Sequence, residues 1–261
     1  MSAAGAGLRV FVTGASSGIG AALASHYARQ GAGALGLVAR RLDRLEALAA
    51  RLGVPAACYG ADVTDADAMR AAGADFVARF GAPDIVVANA GVSAGTLIEH
   101  AEDLAALRRI LEINVAGVAN TFQPFIEPMR ARGRGTLVGI ASVAGFRGLP
   151  GAGAYSASKA AAIAYLESLR VELRASGIAV VTICPGYIAT PMTAGNPYRM
   201  PFLLEADEAA RRFARAIAAK RRRVVIPWQM ALLSLVFRAL PGWLYDRVFQ
   251  LGPRKPRRIL D

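Results

Sequence analysis

Six short apolar runs recur along this chain, at residues 8–13, 34–39, 56–60, 85–88, 135–141 and 178–184. Each is followed by a glycine-rich or polar cluster, and then by a stretch with helical periodicity. Strands alternating with helices, without internal repeats or a linker, predict one doubly wound α/β domain built on a parallel sheet. Right-handed crossovers then place helices on both faces. In such a sheet, ligands bind outside the carboxyl ends of the strands. Every cluster in this chain falls at that end, whereas unrelated turns would be spread over both, so the convergence marks one site.

The first cluster, Thr13-Gly-Ala-Ser-Ser-Gly-Ile-Gly20, joins a strand to a helix expected over 21–30. Glycines let the backbone turn tightly and approach an anion, and a helix N-terminus offers unpaired N–H groups and the positive end of its dipole. Gly14, Ser16, Ser17, Ile19 and Gly20 are therefore a candidate phosphate cradle. The second strand ends at Ala39, which has no carboxylate, and Arg40 and Arg41 follow at once. An acidic residue there would bond a free ribose 2′-hydroxyl, whereas arginine accommodates a 2′-phosphate. NADP(H) is thus expected over NAD(H), with the alternative that either arginine is a solvated residue opening the next helix, 42–51.

The third strand ends at Asp62 and Val63. Asp62 is an acceptor for an adenine amino group or a turn residue, and Thr64 or Asp65 is placed to cap a helix over 66–80. After the fourth strand, Asn89, Ala90 and Gly91 form a loop of small residues that suits close approach to a flat ligand. A single long helix is expected over 101–129, its apolar stripe interrupted by Asn114, with Pro124 and Pro128 weakening its last turns. A buried asparagine must find partners for its amide. The fifth strand delivers Ser142. Beyond it lies Tyr155-Ser-Ala-Ser-Lys159, which on a helix sets the tyrosine and lysine one turn apart on one face. A phenol ionises near pH ~10, and a neighbouring ammonium favours the phenolate, so such a tyrosine can exchange a proton with a substrate oxygen. The sixth strand runs into Pro185-Gly-Tyr-Ile-Ala-Thr190.

Together, Thr13 to Gly20, Asn89-Ala-Gly91, Asn114, Ser142, Tyr155-x-x-x-Lys159 and Pro185-Gly186 resemble the short-chain dehydrogenase/reductase family, from about Leu8 to about Thr190. The resemblance implies a Rossmann fold with a seven-stranded sheet in the order 3-2-1-4-5-6-7, and hydride transfer to or from a nicotinamide. It implies Tyr155 as acid/base, Ser142 orienting a carbonyl, and Lys159 binding the nicotinamide ribose while lowering the tyrosine pKa. Asn114 would hold a water that relays protons to the lysine. Gly14, Ser16, Ile19 and Gly20 would line the pyrophosphate, and Asp62 and Val63 would meet the adenine. Asn89 and Gly91 would flank the cofactor, with Ile188 and Thr190 beside the carboxamide. The Arg40 position matches family members that prefer NADP(H). The long helix and the Tyr155 helix imply a homodimer or homotetramer.

Beyond Thr190 the residues become particular to this chain. Residues 191–204 mix Pro and Gly with Met, Tyr, Phe and Leu, as suits a lid over a small apolar ketone or alcohol. A helix over 205–219 and a seventh strand over 224–226 complete the sheet, so residues 1–226 form the cofactor-binding and catalytic unit. Residues 227–261 extend it with two apolar helical segments and a basic end. The net charge is +12, of which +8 falls between Lys220 and Asp261. A basic excess confined to the tail, without aromatic-basic interleaving in the main body, excludes nucleic acid as the expected partner. Trp228, Trp243 and Tyr245 among cationic residues suit an anionic membrane surface. The alternatives are that these segments close the substrate pocket or pack on a second subunit. Cys58 and Cys184 sit in apolar settings, and His26 and His100 stand apart, so neither a disulfide framework nor a metal site is expected. The expected location is cytoplasmic, with peripheral attachment to a membrane face through the tail. The alternative to an oxidoreductase is a catalytically silent dinucleotide-binding sensor with the same fold.

Overall fold

A computed structural model describes residues 7–250 and 254–257. Seven parallel strands form one sheet in the order β3-β2-β1-β4-β5-β6-β9, where β1 is Arg9–Thr13, β2 Ala34–Ala39, β3 Ala56–Gly60, β4 Ile85–Ala88, β5 Gly135–Ile140, β6 Ile178–Pro185 and β9 Arg223–Ile226. This is the expected order. The last position is numbered nine because two two-residue strands, β7 (Ile188–Ala189) and β8 (Leu204–Glu205), pair with each other outside the main sheet. They were not legible in the sequence, since two residues show no alternation.

The central strands are buried on both faces, as a sheet covered by helices on each side requires. On one face, α1 (Gly18–Arg29), α2 (Leu42–Ala49) and α7 (Ala206–Ala218) bury Leu23, Leu45 and Phe213 against Val12, Leu37 and Val181. On the other, α3 (Ala66–Phe80) brings Phe76 onto Phe11 and Phe125, with ring centroids 5.4 and 6.4 Å away. Asp65 caps α3, its carboxylate accepting from the Asp67 and Ala68 amides at 3.0 and 2.9 Å.

The long helix expected over 101–129 is divided. Regular turns run over α4 (Asp103–Leu111) and α5 (Gly117–Ala131), and a wider π-helical turn, Glu112–Ala116, lies between them. Asn114 sits within that turn, and such widened turns are frequent at functional positions. Pro124 and Pro128 both stand inside α5, which continues past them to Ala131. The Tyr155 helix, α6 (Gly153–Glu172), crosses back behind β5, and α8 (Trp228–Ala239) and α9 (Gly242–Phe249) close the chain's described helices. No helix among the described residues is long and apolar enough to cross a membrane.

Candidate active site

The carboxyl ends of the strands open on one cleft of about 290 Å³. It is lined by Gly14, Ser16, Ser17, Ile19, Arg40, Arg41, Asp62, Val63, Asn89, Ala90, Gly91, Ser142, Tyr155, Lys159, Pro185, Gly186, Ile188 and Thr190. Of the candidate catalytic and cofactor-binding residues read in the sequence, Gly20 and Asn114 are the two not on its wall. Both stand directly behind it.

Gly20 lies where α1 crosses the exit of β1. A Cβ there would strike the Gly14 carbonyl and come within 2.7 Å of Asn89 Nδ2, so only glycine permits the crossing. Ser17 is extended and makes no side-chain cap, and the first turn of α1 carries no acidic residue. Uncapped amides, a positive dipole end and the absence of a nearby carboxylate fit a phosphate. Thr13, which sequence reasoning missed as a site residue, ties this cradle to the next strand. Its hydroxyl donates to the Val87 carbonyl at 3.3 Å and accepts from the Asn89 and Ala90 amides at 3.2 and 3.3 Å. Asn89 Nδ2 donates in turn to the Thr13 carbonyl at 2.9 Å.

Arg40 and Arg41 stand on the wall beside Ser16, and Arg41 Nη2 donates to Ser16 Oγ at 3.4 Å. Asp62 braces the loop after β3. One oxygen accepts from the Thr64 amide and hydroxyl, the other from Arg109 at 2.7 Å. Burial works against its charge, but these bonds outweigh it and hold the carboxyl below its usual range.

Ser142, at the end of β5, has an extended backbone and opens a short 3₁₀ turn, Val143–Gly145, by accepting from the Ala144 amide at 3.1 Å. Its side chain lies near enough to the Tyr155 hydroxyl to favour the ionised phenol. Lys159, one turn along α6, is only 5 % exposed, and its Nζ donates to the Ile140 carbonyl at 2.9 Å. The ammonium stands 5.8 Å from the Tyr155 ring centroid. Burial pulls the Lys159 pKa down to about 8. Burial also raises the Tyr155 phenol, with the Ser142 side chain acting the other way. The lowered phenol pKa expected from an adjoining ammonium is thus outweighed by desolvation in the protein alone.

Asn114 is fully buried. Its Nδ2 donates to the Val92 carbonyl at 3.0 Å and to Ser158 Oγ at 2.9 Å, and its Oδ1 accepts from the Val92 amide at 2.9 Å. The amide therefore fastens the loop after β4 to α6, beside Lys159. Cys184, free and buried under the same group, has its thiol pushed up to about 12 by burial. Among the described residues no cluster of His, Cys, Asp or Glu could hold a metal.

The outer wall comes from the chain's last third. Pro191, Met192 and Thr193 reach the cleft, and the Thr193 hydroxyl pins the turn by bonding the Ile188 and Thr190 carbonyls. The Tyr187 and Tyr198 rings stand 6.3 Å apart, edge to face. Arg147 docks α8 and α9 beside the 3₁₀ turn: it lies over the Tyr245 ring at 3.9 Å and donates to the Phe237 and Leu240 carbonyls, while the Tyr245 hydroxyl donates to the Gly148 carbonyl. The inner face of α8 and α9 thus packs on the segment after β5, while Trp228 and Trp243 on the outer face are 63 and 70 % exposed.

Comparison with known proteins bears on this geometry. Residues 9–199 match the family model described as short chain dehydrogenase. An uncharacterized oxidoreductase from Myxococcus xanthus is 42 % identical over 238 residues, covering 90 % of this chain and 93 % of that one. A cis-4-hydroxycyclohexanecarboxylate dehydrogenase from Sinomonas cyclohexanicum is 38 % identical over 205 residues, covering 78 and 82 %. Among solved structures, L-sorbose reductase from Gluconobacter frateurii, complexed with NADPH and L-sorbose, superposes with a TM-score of 0.76 at 27 % identity, covering 85 and 95 %.

The Asn114 bracket yields a stability prediction. Replacing Asn114 with Ala leaves the half-buried Val92 N–H and C=O and the buried Ser158 hydroxyl without this partner, and is expected to cost about 2 kcal/mol in urea unfolding. A loss below ~0.5 kcal/mol would mean that the loop and α6 hold together without it.

Proposed function

This chain belongs to the short-chain dehydrogenase/reductase family, and from that premise we propose that it is an NADP(H)-dependent carbonyl reductase or secondary-alcohol dehydrogenase acting on an apolar substrate. The observation that carries the reading is that Ser142, Tyr155 and the buried Lys159 line one cleft with the glycine turn at the head of α1. The intact set argues against a silent sensor, which has no need of a polarised tyrosine.

NADPH, when bound, supplies the hydride; the protein supplies orientation and electrostatics. Ser142 and Tyr155 present two hydroxyl donors to one carbonyl oxygen, where negative charge grows as the carbon is reduced. Tyr155 then gives its proton to that oxygen, and the product is the alcohol. The raised phenol pKa keeps Tyr155 protonated for this step, and the nearby ammonium stabilises the phenolate that the transfer leaves. Asn114 holds the loop and α6 in register so that both groups face one point. The preference for NADP(H) is supported by Arg40 and Arg41 on the wall next to Ser16, where no carboxylate competes for the ribose. An apolar substrate is supported by Pro185, Ile188, Pro191 and Met192 on the cleft wall.

The same proposal extends to a docking surface. Trp228, Leu232, Leu235 and Val236 recur at helical spacing on α8 and stay exposed, Trp243 and Val248 continue the face on α9, and Arg238 and Arg247 accompany them. An exposed apolar stripe with interfacial tryptophans and cationic neighbours fits the surface of an anionic bilayer.

Three outcomes are expected. Tyr155→Phe lowers kcat for ketone reduction by about a hundredfold to ten-thousandfold, the span of a general acid, while NADPH binding, followed by cofactor fluorescence, stays near wild type. Full activity in that variant removes the assignment. Neutral replacement of both Arg40 and Arg41 lowers the NADPH-to-NADH ratio of kcat/KM; an unchanged ratio would place the 2′-phosphate elsewhere. Full-length protein floats with vesicles containing phosphatidylserine, and a Trp228→Ser, Leu235→Ser, Trp243→Ser variant does not. If the triple variant instead turns a dimer into a monomer with no change in flotation, the stripe is a subunit contact.

A further inference from the structure

Residues 254–257 lie as a short strap against the loop that follows β4. The Gly95 amide donates to the Pro256 carbonyl at 2.9 Å, and Gly95 and Arg257 form a parallel β-bridge. A Cβ at Gly95 would strike the Lys255 carbonyl and come within 2.8 Å of Pro256, so this approach requires glycine. Arg257 anchors the strap, its guanidinium donating to Asp103 at 2.8 and 3.1 Å and to Glu102 at 2.7 Å. Asp103 is buried, only 8 % exposed. The oxygen that accepts from Arg257 Nε also accepts from the Leu97 amide at 2.8 Å. The guanidinium and that amide hold the carboxyl below its usual range.

The same loop reaches the Tyr155 helix. The first amides of a helix have no partner within it, and Ala152, the residue that opens α6, provides no side-chain cap. Thr96 supplies one from outside. Its hydroxyl accepts from the Ala154 amide at 3.4 Å, and its own amide donates to the Gly151 carbonyl at 3.1 Å. Thr96 and Ala152 form a second parallel bridge, and Ala94 is fully buried in a small cluster with Ala154 and Ile110. The loop is thus bonded to the strap at Gly95 and to the start of α6 at Thr96, and the residue after Ala154 is Tyr155. Ser158 and Lys159, one turn further on, are fixed by Asn114 and by the Ile140 carbonyl. The turn that carries the phenol takes its cap from the loop after β4 instead.

We propose that Arg257 is a positioning residue for Tyr155: through Asp103 it holds the loop after β4 so that Thr96 caps α6, and the cap sets where the phenol stands at the cleft. This rests on the carbonyl–alcohol reading above. Tyr155 lines the cleft and Arg257 does not, so the effect passes through the loop. A buried carboxylate that loses its counter-charge moves toward water or takes up a proton, and either change alters its grip on the Leu97 amide. Leu97 follows Thr96 directly, so the cap shifts with it. Proton transfer to a carbonyl oxygen needs the phenol within hydrogen-bond reach. A displacement of about 1 Å there costs about a hundredfold in rate.

The test uses full-length wild type, Arg257→Gln, Arg257→Lys, Thr96→Val, Thr96→Ser and the Arg257→Gln, Thr96→Val double variant. Cyclohexanone, 2-octanone and the corresponding alcohols serve as probes. Rates are counted per NADPH-binding site, titrated by cofactor fluorescence, so that unfolded protein does not enter them. In Arg257→Gln and in Thr96→Val, kcat is expected to fall about 10- to 100-fold, with KM and NADPH affinity near wild type, the pattern of a contact made only in the transition state. Arg257→Lys and Thr96→Ser, which keep the charge and the hydroxyl, recover most of the loss. The double variant loses no more than the worse single variant, because both act on one cap. Unchanged kcat per site in Arg257→Gln, with only a lower Tm, makes the strap a staple and overturns the proposal. A loss carried by KM or by NADPH affinity overturns it too, since it makes Arg257 a group for ligand binding, and losses that multiply in the double variant break the route through Thr96. If no probe is turned over by wild type with either cofactor, the oxidoreductase reading falls and this inference with it; an active wild type matched by Arg257→Gln removes this inference alone.

Discussion

A lysine ammonium buried at the carboxyl edge of a parallel sheet is the constraint on which the rest of this structure turns. Taking such a charge out of water is costly unless it is hydrogen-bonded. Lys159 meets that demand with the Ile140 carbonyl, at the strand end where the ladder has run out of partners. Because the sheet supplies the acceptor, α6 must lie at a fixed height and rotation over β5. That placement brings Tyr155 to Ser142, and the Ser142 hydroxyl is itself set by the turn that leaves the same strand. The Asn114 bracket then becomes a second consequence: the loop after β4 has to be fastened to α6 at Ser158, the residue next to Lys159. The π-helical turn at Glu112–Ala116 is the backbone feature that carries Asn114 to this point.

The glycine turn after β1 follows a separate logic that meets the first at Asn89. Asn89 donates to Thr13 twice across β1 and β4, so the glycine turn and the loop after β4 are joined through neighbouring strands. A chain that folds this sheet in this order has both halves of the site in place. The second free cysteine illustrates the same economy, since Cys184 stays a neutral thiol because burial beside Lys159 leaves no room for a thiolate.

Legibility in the sequence followed the range of the interactions. The main-sheet strands and the helix over 66–80 with its Asp65 cap were readable because periodicity and capping are local. The cleft-lining residues were readable because topology alone sends all strand ends to one side. What escaped was set by contacts at a distance. The long helix reads as continuous, because nothing within Glu112–Ala116 breaks its apolar stripe except one asparagine, and the widened turn answers to Val92 and Ser158 elsewhere in the chain. The β7–β8 pair is too short to have a period. Tyr155 and Lys159 were readable as a pair, but the direction of the phenol shift was not, because it depends on burial and not on spacing.

The basic tail shows most clearly how position in the fold changes the meaning of a charge. As sequence, the arginines and lysines after Lys220 form one excess of cations, suited to a single acidic surface. In the fold they separate into groups with different surroundings. Arg238 and Arg247 accompany the exposed apolar face of α8 and α9, where a bilayer would meet them. Arg257 is neutralised by Glu102 and Asp103, and so contributes little to any long-range field. Lys255 donates to Ser93 Oγ, 5.8 Å from the Tyr155 ring centroid. Ion pairs such as those of Arg257 add little stability where they face solvent, so their consequence here is geometric. They hold the four-residue strap at the start of α4. The net charge of the tail therefore matters less than the neighbours that each of its cations meets in the fold.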